Sequence, residues 1–165
     1  MGKRTVQTLI LIVDNEFGVL TRVTAQVRRE GWNIKSLVVA ETMNPAVSRL
    51  TISVECQDST LPQVLERLGK LASVRAISAY SDETHFCREF MMATVACEGL
   101  SGAEDAARAF DARTTALPCG CLLVEFAGPP DSADLLLSAL RPFGVKNVAR
   151  SGAVTLEKPA KEELR

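Results

Sequence analysis

Apolar positions along this chain follow two rhythms that alternate and then repeat. Val6 to Val13 is largely apolar and β-branched, the pattern of a central strand. Leu20, Val23 and Val27 then recur at helical spacing, while Arg22, Arg28, Arg29 and Glu30 fall on other faces. Asp14 or Asn15 is placed to cap that helix, and Gly31 to end it as a C′ residue. Asn33 to Glu41 reads as a second strand centred on Leu37-Val38-Val39, and Asn44-Pro45 as a turn. Leu50, Ile52 and Val54 alternate with Thr51 and Ser53, which predicts a strand with one buried face. Ser59 or Thr60 caps a second helix, with Pro62 in its first turn and Leu61, Val64, Leu65 and Leu68 along it. Val74 to Tyr80 is a fourth strand. The order is βαββαβ, a ferredoxin-like unit.

The same order repeats after the polar linker Ser81-Asp82-Glu83-Thr84. Phe90 to Cys97 predicts a strand, and Ser101 a cap for a helix running to Phe110. Arg113–Leu117 and Cys121–Phe126 form a hairpin about Pro118. Pro129-Pro130-Asp131 opens a helix carrying Leu135, Leu136 and Leu140; Pro142-Phe143-Gly144 ends it, and Val145 to Arg150 is the last strand. The expected fold is α+β: two tandem ferredoxin-like βαββαβ units, each an antiparallel sheet with two helices on one face. The expected boundaries are residues 5–81 for the first unit, 82–88 for a linker, 89–157 for the second unit and 158–165 for a charged tail. Units of this size bury only about two thirds of their unfolded surface, so each is expected to gain stability by association.

Charge narrows the partners. With 19 basic and 20 acidic residues the net charge is −1, which lacks the basic footprint of a nucleic-acid binder. No apolar run is long enough to cross a bilayer, and Thr8–Val13 is too short for a secretory core, so it reads as a core strand. Gly2 is not a myristoylation site, because position 6 is Val. The five cysteines, at 56, 87, 97, 119 and 121, are odd in number and scattered, which argues against a disulfide framework and for a cytoplasmic protein.

Candidate chemistry is sparse. Cys119-Gly120-Cys121 is the only close cysteine pair, and the sole histidine, His85, is isolated, so neither a metal site nor a nucleophile with a base is expected. No glycine-rich phosphate loop occurs. Arg28-Arg29 reads as a solvated face. The informative stretch is Asn15 to Leu20. A helix start leaves N–H donors unpaired and carries partial positive charge, so it can take a carboxylate for roughly 0.3–1 kcal/mol. Gly18 has no side chain to block approach there, and Asn15 and Asn33 offer both amide donors and acceptors. The alternative is ordinary capping: Asn15 as a helix cap, Gly18 easing packing and Asn33 closing a turn.

Three ordered segments carry a resemblance. They are Asn15-Glu16-x-Gly18-Val19-Leu20-x-Arg22-Val23, Gly31-Trp32-Asn33-Ile34-x-Ser36-Leu37-x-Val39 and Asn44-Pro45-x-x-Ser48-Arg49-Leu50-Thr51-Ile52. With them the first half resembles the ACT domain of acetolactate synthase (acetohydroxyacid synthase) small subunits. Arg88-Glu89, Arg141-Pro142-Phe143-Gly144-Val145 and Ala149-Arg150-Ser151-Gly152 extend the resemblance through the second half. It implies a non-catalytic regulatory subunit in branched-chain amino-acid biosynthesis, without a cofactor of its own. The implied partner is a large catalytic subunit that carries thiamine diphosphate, magnesium and FAD. The resemblance also implies a homodimer through the ACT domains. A branched-chain effector, valine foremost, is expected at the protomer interface, with Asn15, Gly18, Val19 and Leu20 as one wall and Asn33 and Ile34 as the other. By this reading the N–H groups of Gly18 to Leu20 take the carboxylate, Asn15 or Asn33 takes the ammonium, and Leu20 and Ile34 shape the side-chain pocket. Phe17 stands where that family usually has a smaller residue, and Thr24-Ala25 replaces a glycine-containing pair. The alternative is a stand-alone tandem-ACT sensor of amino acids.

Overall fold

The computed structural model describes residues 4–96 and 100–159. Eight strands and four α-helices follow in the order β1 (Arg4–Asp14), α1 (Val19–Arg29), β2 (Asn33–Glu41), β3 (Val47–Gln57), α2 (Leu61–Gly69), β4 (Val74–Ala79), β5 (His85–Val95), α3 (Leu100–Arg108), β6 (Arg113–Ala116), β7 (Leu122–Gly128), α4 (Pro130–Leu140) and β8 (Val145–Glu157). Two four-stranded sheets result, ordered β2-β3-β1-β4 and β6-β7-β5-β8. The second order is the first with every strand advanced by four, so the repeat in the hydrophobic rhythm is a repeat of topology. The described residues divide into two compact units, 4–86 with 153–159, and 87–96 with 100–152. The division falls within β5 and β8, whose outer ends belong to the first unit.

In the first unit, β1 pairs antiparallel with both β3 and β4. Leu9, Leu11 and Val13 therefore share one face and are fully buried with Leu50, Ile52 and Val54 of β3. Against that face lie Val19, Val23 and Val27 of α1 and Val64 and Leu68 of α2. The helical spacing of these residues is why the two helices lie on the sheet. β2 lies at the sheet edge, with a shift in its pairing to β3 between Ile34 and Ser36.

The alternation in β3 predicts one buried face, and the structure corrects this. Thr51 and Ser53 are also buried. The end of β8 lies over Thr51: Thr51 Oγ1 and Thr155 Oγ1 are 3.2 Å apart, and Arg49 Nη2 donates to Glu157 Oε2 at 2.8 Å, while Ser53 Oγ is 3.1 Å from Thr8 Oγ1 of β1. Strand β8 runs on to Glu157 instead of stopping at Arg150, and its last residues cover part of what alternation alone marks as a solvent face. Arg49 holds the Glu157 carboxyl below the usual carboxylate range, chiefly by this hydrogen bond.

Other boundaries differ at the caps. Gly18, not Asp14 or Asn15, occupies the N-cap of α1, and no side chain caps it. Asp14 instead pairs with Arg75 at 2.6 Å. Thr60 is the N-cap of α2, but its hydroxyl donates back to Gln57 O at 2.8 Å. Residues 85–88, expected as linker, lie in β5. His85 is buried there, with Nδ1 2.8 Å from Thr84 Oγ1. Ser101 lies inside α3 rather than capping it, and Cys97 falls outside the described residues.

The second unit is built alike. Met91, Ala93 and Val95 of β5 and Leu122, Val124 and Phe126 of β7 pack on Ala103 and Ala107 of α3 and Ala133, Leu136 and Leu140 of α4. Leu135 is 61% exposed, on the opposite side of α4 from this core. Arg150 donates from Nε to the buried Glu89 at 2.7 Å and also holds Asp134. Its guanidinium is held charged more firmly than usual, by Glu89 first and then by Asp134. Cys119 and Cys121 flank the turn between β6 and β7, where the Leu117 N–H donates to Cys121 O at 2.8 Å. The Cys121 backbone lowers the Cys119 thiol below its ordinary range.

Candidate effector site

Gly18 begins α1 at φ 80°, a left-handed conformation open to glycine at little cost. The chain uses it to turn sharply from β1 into the helix. The Val19 N–H is taken by Glu16 O at 3.3 Å, and the Arg22 N–H by Gly18 O at 3.0 Å. The N–H groups of Gly18 and Leu20 have no acceptor among the described residues, so these two, rather than all three from Gly18 to Leu20, stand open. Val19 is buried in the core, so only its backbone reaches this surface. Leu20 is 39% exposed. Phe17 points wholly into solvent, where its bulk leaves the helix start unobstructed.

Asn15 does not cap the helix. Its Nδ2 donates to Glu41 Oε1 at 3.1 Å and to Pro45 O at 2.9 Å, and its backbone N–H to Ala46 O at 2.9 Å. Both amide hydrogens face the β2–β3 turn, and Oδ1 has no donor among the described residues. The side chain is thereby fixed with an acceptor free. Arg22 stands beside the glycine, paired with Glu16 and 3.4 Å from Ser73 Oγ.

Asn33 and Ile34 lie elsewhere. Asn33 is opposite Glu55 on β3, whereas Asp14, next to Asn15, is opposite Val47. Those partners are eight residues apart on one strand, roughly 27 Å at about 3.4 Å per residue. Asn15 and Asn33 thus stand at opposite ends of one sheet, while Leu20 lies on α1 next to Thr21, which lines one cavity with Asn33 and Ile34. No small molecule touches both Asn15 and Asn33 of a single chain. Asn33 and Ile34 instead line a cavity of ≈ 550 Å³ with Trp32, Arg28 and the exposed side of α1. Arg28, read from sequence as a solvated residue, is part of that lining. The signal available for it was the stripe Thr21, Thr24, Ala25, Arg28, which shares one helical face.

Among the described residues no group of three His, Cys, Asp or Glu side chains is placed to hold a metal ion. No helix among them is long and apolar enough to cross a membrane.

Comparison with known proteins separates this arrangement from other ACT-like folds. Residues 9–76 match the family described as "AHAS small subunit-like ACT domain", and residues 88–159 the one described as "Small subunit of acetolactate synthase". The acetolactate synthase small subunit of Mycolicibacterium smegmatis is 32% identical over 92% of this chain and 90% of its own length. The chain belongs to the acetolactate synthase small-subunit family. A second member, from Mycobacterium bovis, is 35% identical over 92% of this chain and 91% of its own. The crystal structure of the small subunit from Thermotoga maritima superposes with a TM-score of 0.80, over 94% of this chain and 99% of that one. At 23% identity that likeness speaks for the fold, which is the expected pair of ferredoxin-like units. Membership of the small-subunit family makes this chain a non-catalytic regulatory subunit in branched-chain amino-acid biosynthesis, whose partner is the catalytic large subunit. As a small subunit it carries no catalytic cofactor of its own.

Proposed function

We propose that this chain stimulates the catalytic large subunit of acetolactate synthase and makes it sensitive to valine, which binds between the ACT domains of two copies. The observation that carries the reading is the hydrogen bond from Asn15 to Glu41. Strand β2 is an edge strand running from Asn33 to Glu41. Two such edges pairing antiparallel about a two-fold axis lay Asn33 of one copy beside Glu41 of the other. Because Glu41 holds Asn15, that pairing closes the roughly 27 Å gap between Asn15 and Asn33. Asn15, Gly18, Val19 and Leu20 of one copy then face Asn33 and Ile34 of its partner. It also covers an edge that would otherwise invite non-specific strand addition.

In this arrangement the open Gly18 and Leu20 N–H groups take the effector carboxylate, and the Asn15 Oδ1 takes its ammonium. Leu20 and Ile34 line the space for the side chain. One methylene is worth about 1–3 kcal/mol in such a pocket, so isoleucine follows valine within that margin. A ligand shared by two copies favours the paired state, and the expected coupling to activity is about 1–3 kcal/mol. Thiamine diphosphate, magnesium and FAD belong to the large subunit, and the complex is cytoplasmic. The test is acetolactate formation by the large subunit from the same source, with and without this chain, across a valine titration. The expected result is stimulation that valine reverses. Stimulation that valine leaves untouched removes valine from the reading; no stimulation overturns the subunit role proposed here.

A further inference from the structure

The turn that joins β6 to β7 carries both Cys119 and Cys121, and its shape follows from the residues around them. Pro118 presets the first central position of a turn, and the Gly120 N–H closes it by donating to Leu117 O at 2.9 Å. Gly120 then reverses the backbone at φ 81°, in the left-handed region. The Leu117 N–H meets Cys121 O at 2.8 Å, where strand pairing resumes. This is a three-residue hairpin loop, a turn followed by a left-handed glycine.

The bend sets the two sulfurs together. The Cys121 backbone N–H points to the Cys119 sulfur, and the Cys121 thiol lies within hydrogen-bonding reach of it. That N–H first, and the neighbouring thiol second, favour the Cys119 thiolate and hold its pKa below the usual thiol range. No histidine is needed as a base, because the fold supplies this N–H. Cys119 is exposed and Cys121 half-buried, so an incoming molecule meets Cys119 first. Cys56, by contrast, is buried in the first core, and Cys87 lies on β5. Among the described residues no group of three His, Cys, Asp or Glu is placed to hold a metal, so the four ligands of a structural zinc site are not assembled around this pair. Two thiols in contact, the outer one readily ionised, suit thiol–disulfide exchange.

We propose that Cys119 and Cys121 form a reversible redox site that exchanges with small-molecule disulfides, Cys119 attacking and Cys121 resolving. In the first step the Cys119 thiolate attacks one sulfur of the small disulfide. The disulfide bond breaks, a mixed disulfide forms on Cys119, and one small thiolate leaves and takes up a proton. In the second step the Cys121 thiol loses its proton and attacks the Cys119 sulfur. The mixed disulfide breaks, the Cys119–Cys121 bond forms, and the second small thiolate leaves with that proton. The two protein thiols are thereby oxidised by two electrons, and the small disulfide is reduced to two thiols. A disulfide on an exposed turn belongs to the labile class that small thiols reduce again.

The full chain is incubated with oxidised glutathione, quenched by alkylation and mapped by mass spectrometry. The expected product is the Cys119–Cys121 disulfide, reversed by reduced glutathione, with no lasting glutathione adduct on either residue. Cys121→Ser lacks the resolving thiol and is expected to keep glutathione on Cys119. Cys119→Ser is expected to react at Cys121 about tenfold or more slowly than Cys121→Ser reacts at Cys119. Circular dichroism checks that both variants fold, and the parent chain decides the proposal by itself. No Cys119–Cys121 disulfide at any ratio of oxidised to reduced glutathione overturns it, and so does a stable glutathione adduct on Cys119 of the parent. Equal or faster reaction at Cys121 in Cys119→Ser overturns the assigned roles. The valine reading rests on residues of the first unit and is tested separately.

Discussion

Replacing Gly18 separates the backbone role of this residue from its role at a ligand site. It opens α1 at φ 80°, ψ −1°, a conformation that costs an L-residue roughly 1–2 kcal/mol. Space is not the obstacle, since an added Cβ would lie 3.5 Å from Arg22 Nη1, an ordinary contact. Gly18→Ala is therefore expected to lose about 1–2 kcal/mol of unfolding free energy. Gly18→Asn and Gly18→Asp are expected to lose less, because short polar side chains visit this conformation more readily. Gly18→Asp differs from Gly18→Asn in charge alone. Its carboxylate falls within reach of Arg22 and of the N–H groups offered to an effector. Two like charges about 4 Å apart repel by roughly 4 kcal/mol at an effective dielectric of 20. Even with Arg22 screening most of that, a loss of tenfold or more in valine affinity is expected, at about 1.4 kcal/mol per factor of ten. Urea denaturation of the three variants measures the first effect, and valine titration of acetolactate formation with the large subunit measures the second. If Gly18→Ala proves as stable as the parent, the left-handed cap is wrong. If Gly18→Asp keeps the parent's valine response, the carboxylate does not bind at the start of α1.

Three further outcomes follow from the packing. Thr51→Val leaves the buried Thr155 hydroxyl without its partner and is expected to cost about 1–3 kcal/mol; the double variant with Thr155→Val should regain most of it, and an additive loss would deny the contact. Arg49 lowers the pKa of Glu157 in the folded state, so this pair stabilises the fold above the ordinary carboxylate pKa. That contribution fades as pH falls through the lowered value; the difference in stability between the parent and Glu157→Gln should shrink on acidification, and a pH-independent difference would contradict the pairing. Glu89→Ala strips Arg150 of its buried partner but leaves Asp134, so denaturant titration should show a loss below the about 3–5 kcal/mol of a fully buried pair; an unchanged midpoint would mean that the ion pair contributes nothing.

The sequence by itself determined the elements, their order and their repetition. Those properties rest on local periodicity: Val19, Val23 and Val27 can share a buried face only on a helix. The uninterrupted apolar run Leu9 to Val13 is stable only inside a sheet. Gly31 at φ 72° marks the helix end that its position implied. The motif series likewise carried the family, because those residues stand in the sequence whatever the chain folds into. The tertiary structure decided everything that depends on residues far apart in the chain. Thr51 reads as solvent-facing because alternation knows nothing of a strand about a hundred residues away, and Thr155 near the end of β8 meets it. Asn15 read as a cap because capping is local, whereas its amide is drawn to Glu41 and Pro45 across the β2–β3 turn. Residue order could name Asn15 and Asn33, but only strand register shows that they stand at opposite ends of one sheet. Arg28 is one charge in a basic pair until folding sets Trp32 and Asn33 beside it. The physical reason is common to all four cases. Secondary structure is fixed by interactions a few residues long, whereas burial and site geometry are fixed by which distant surfaces the folded chain brings into contact.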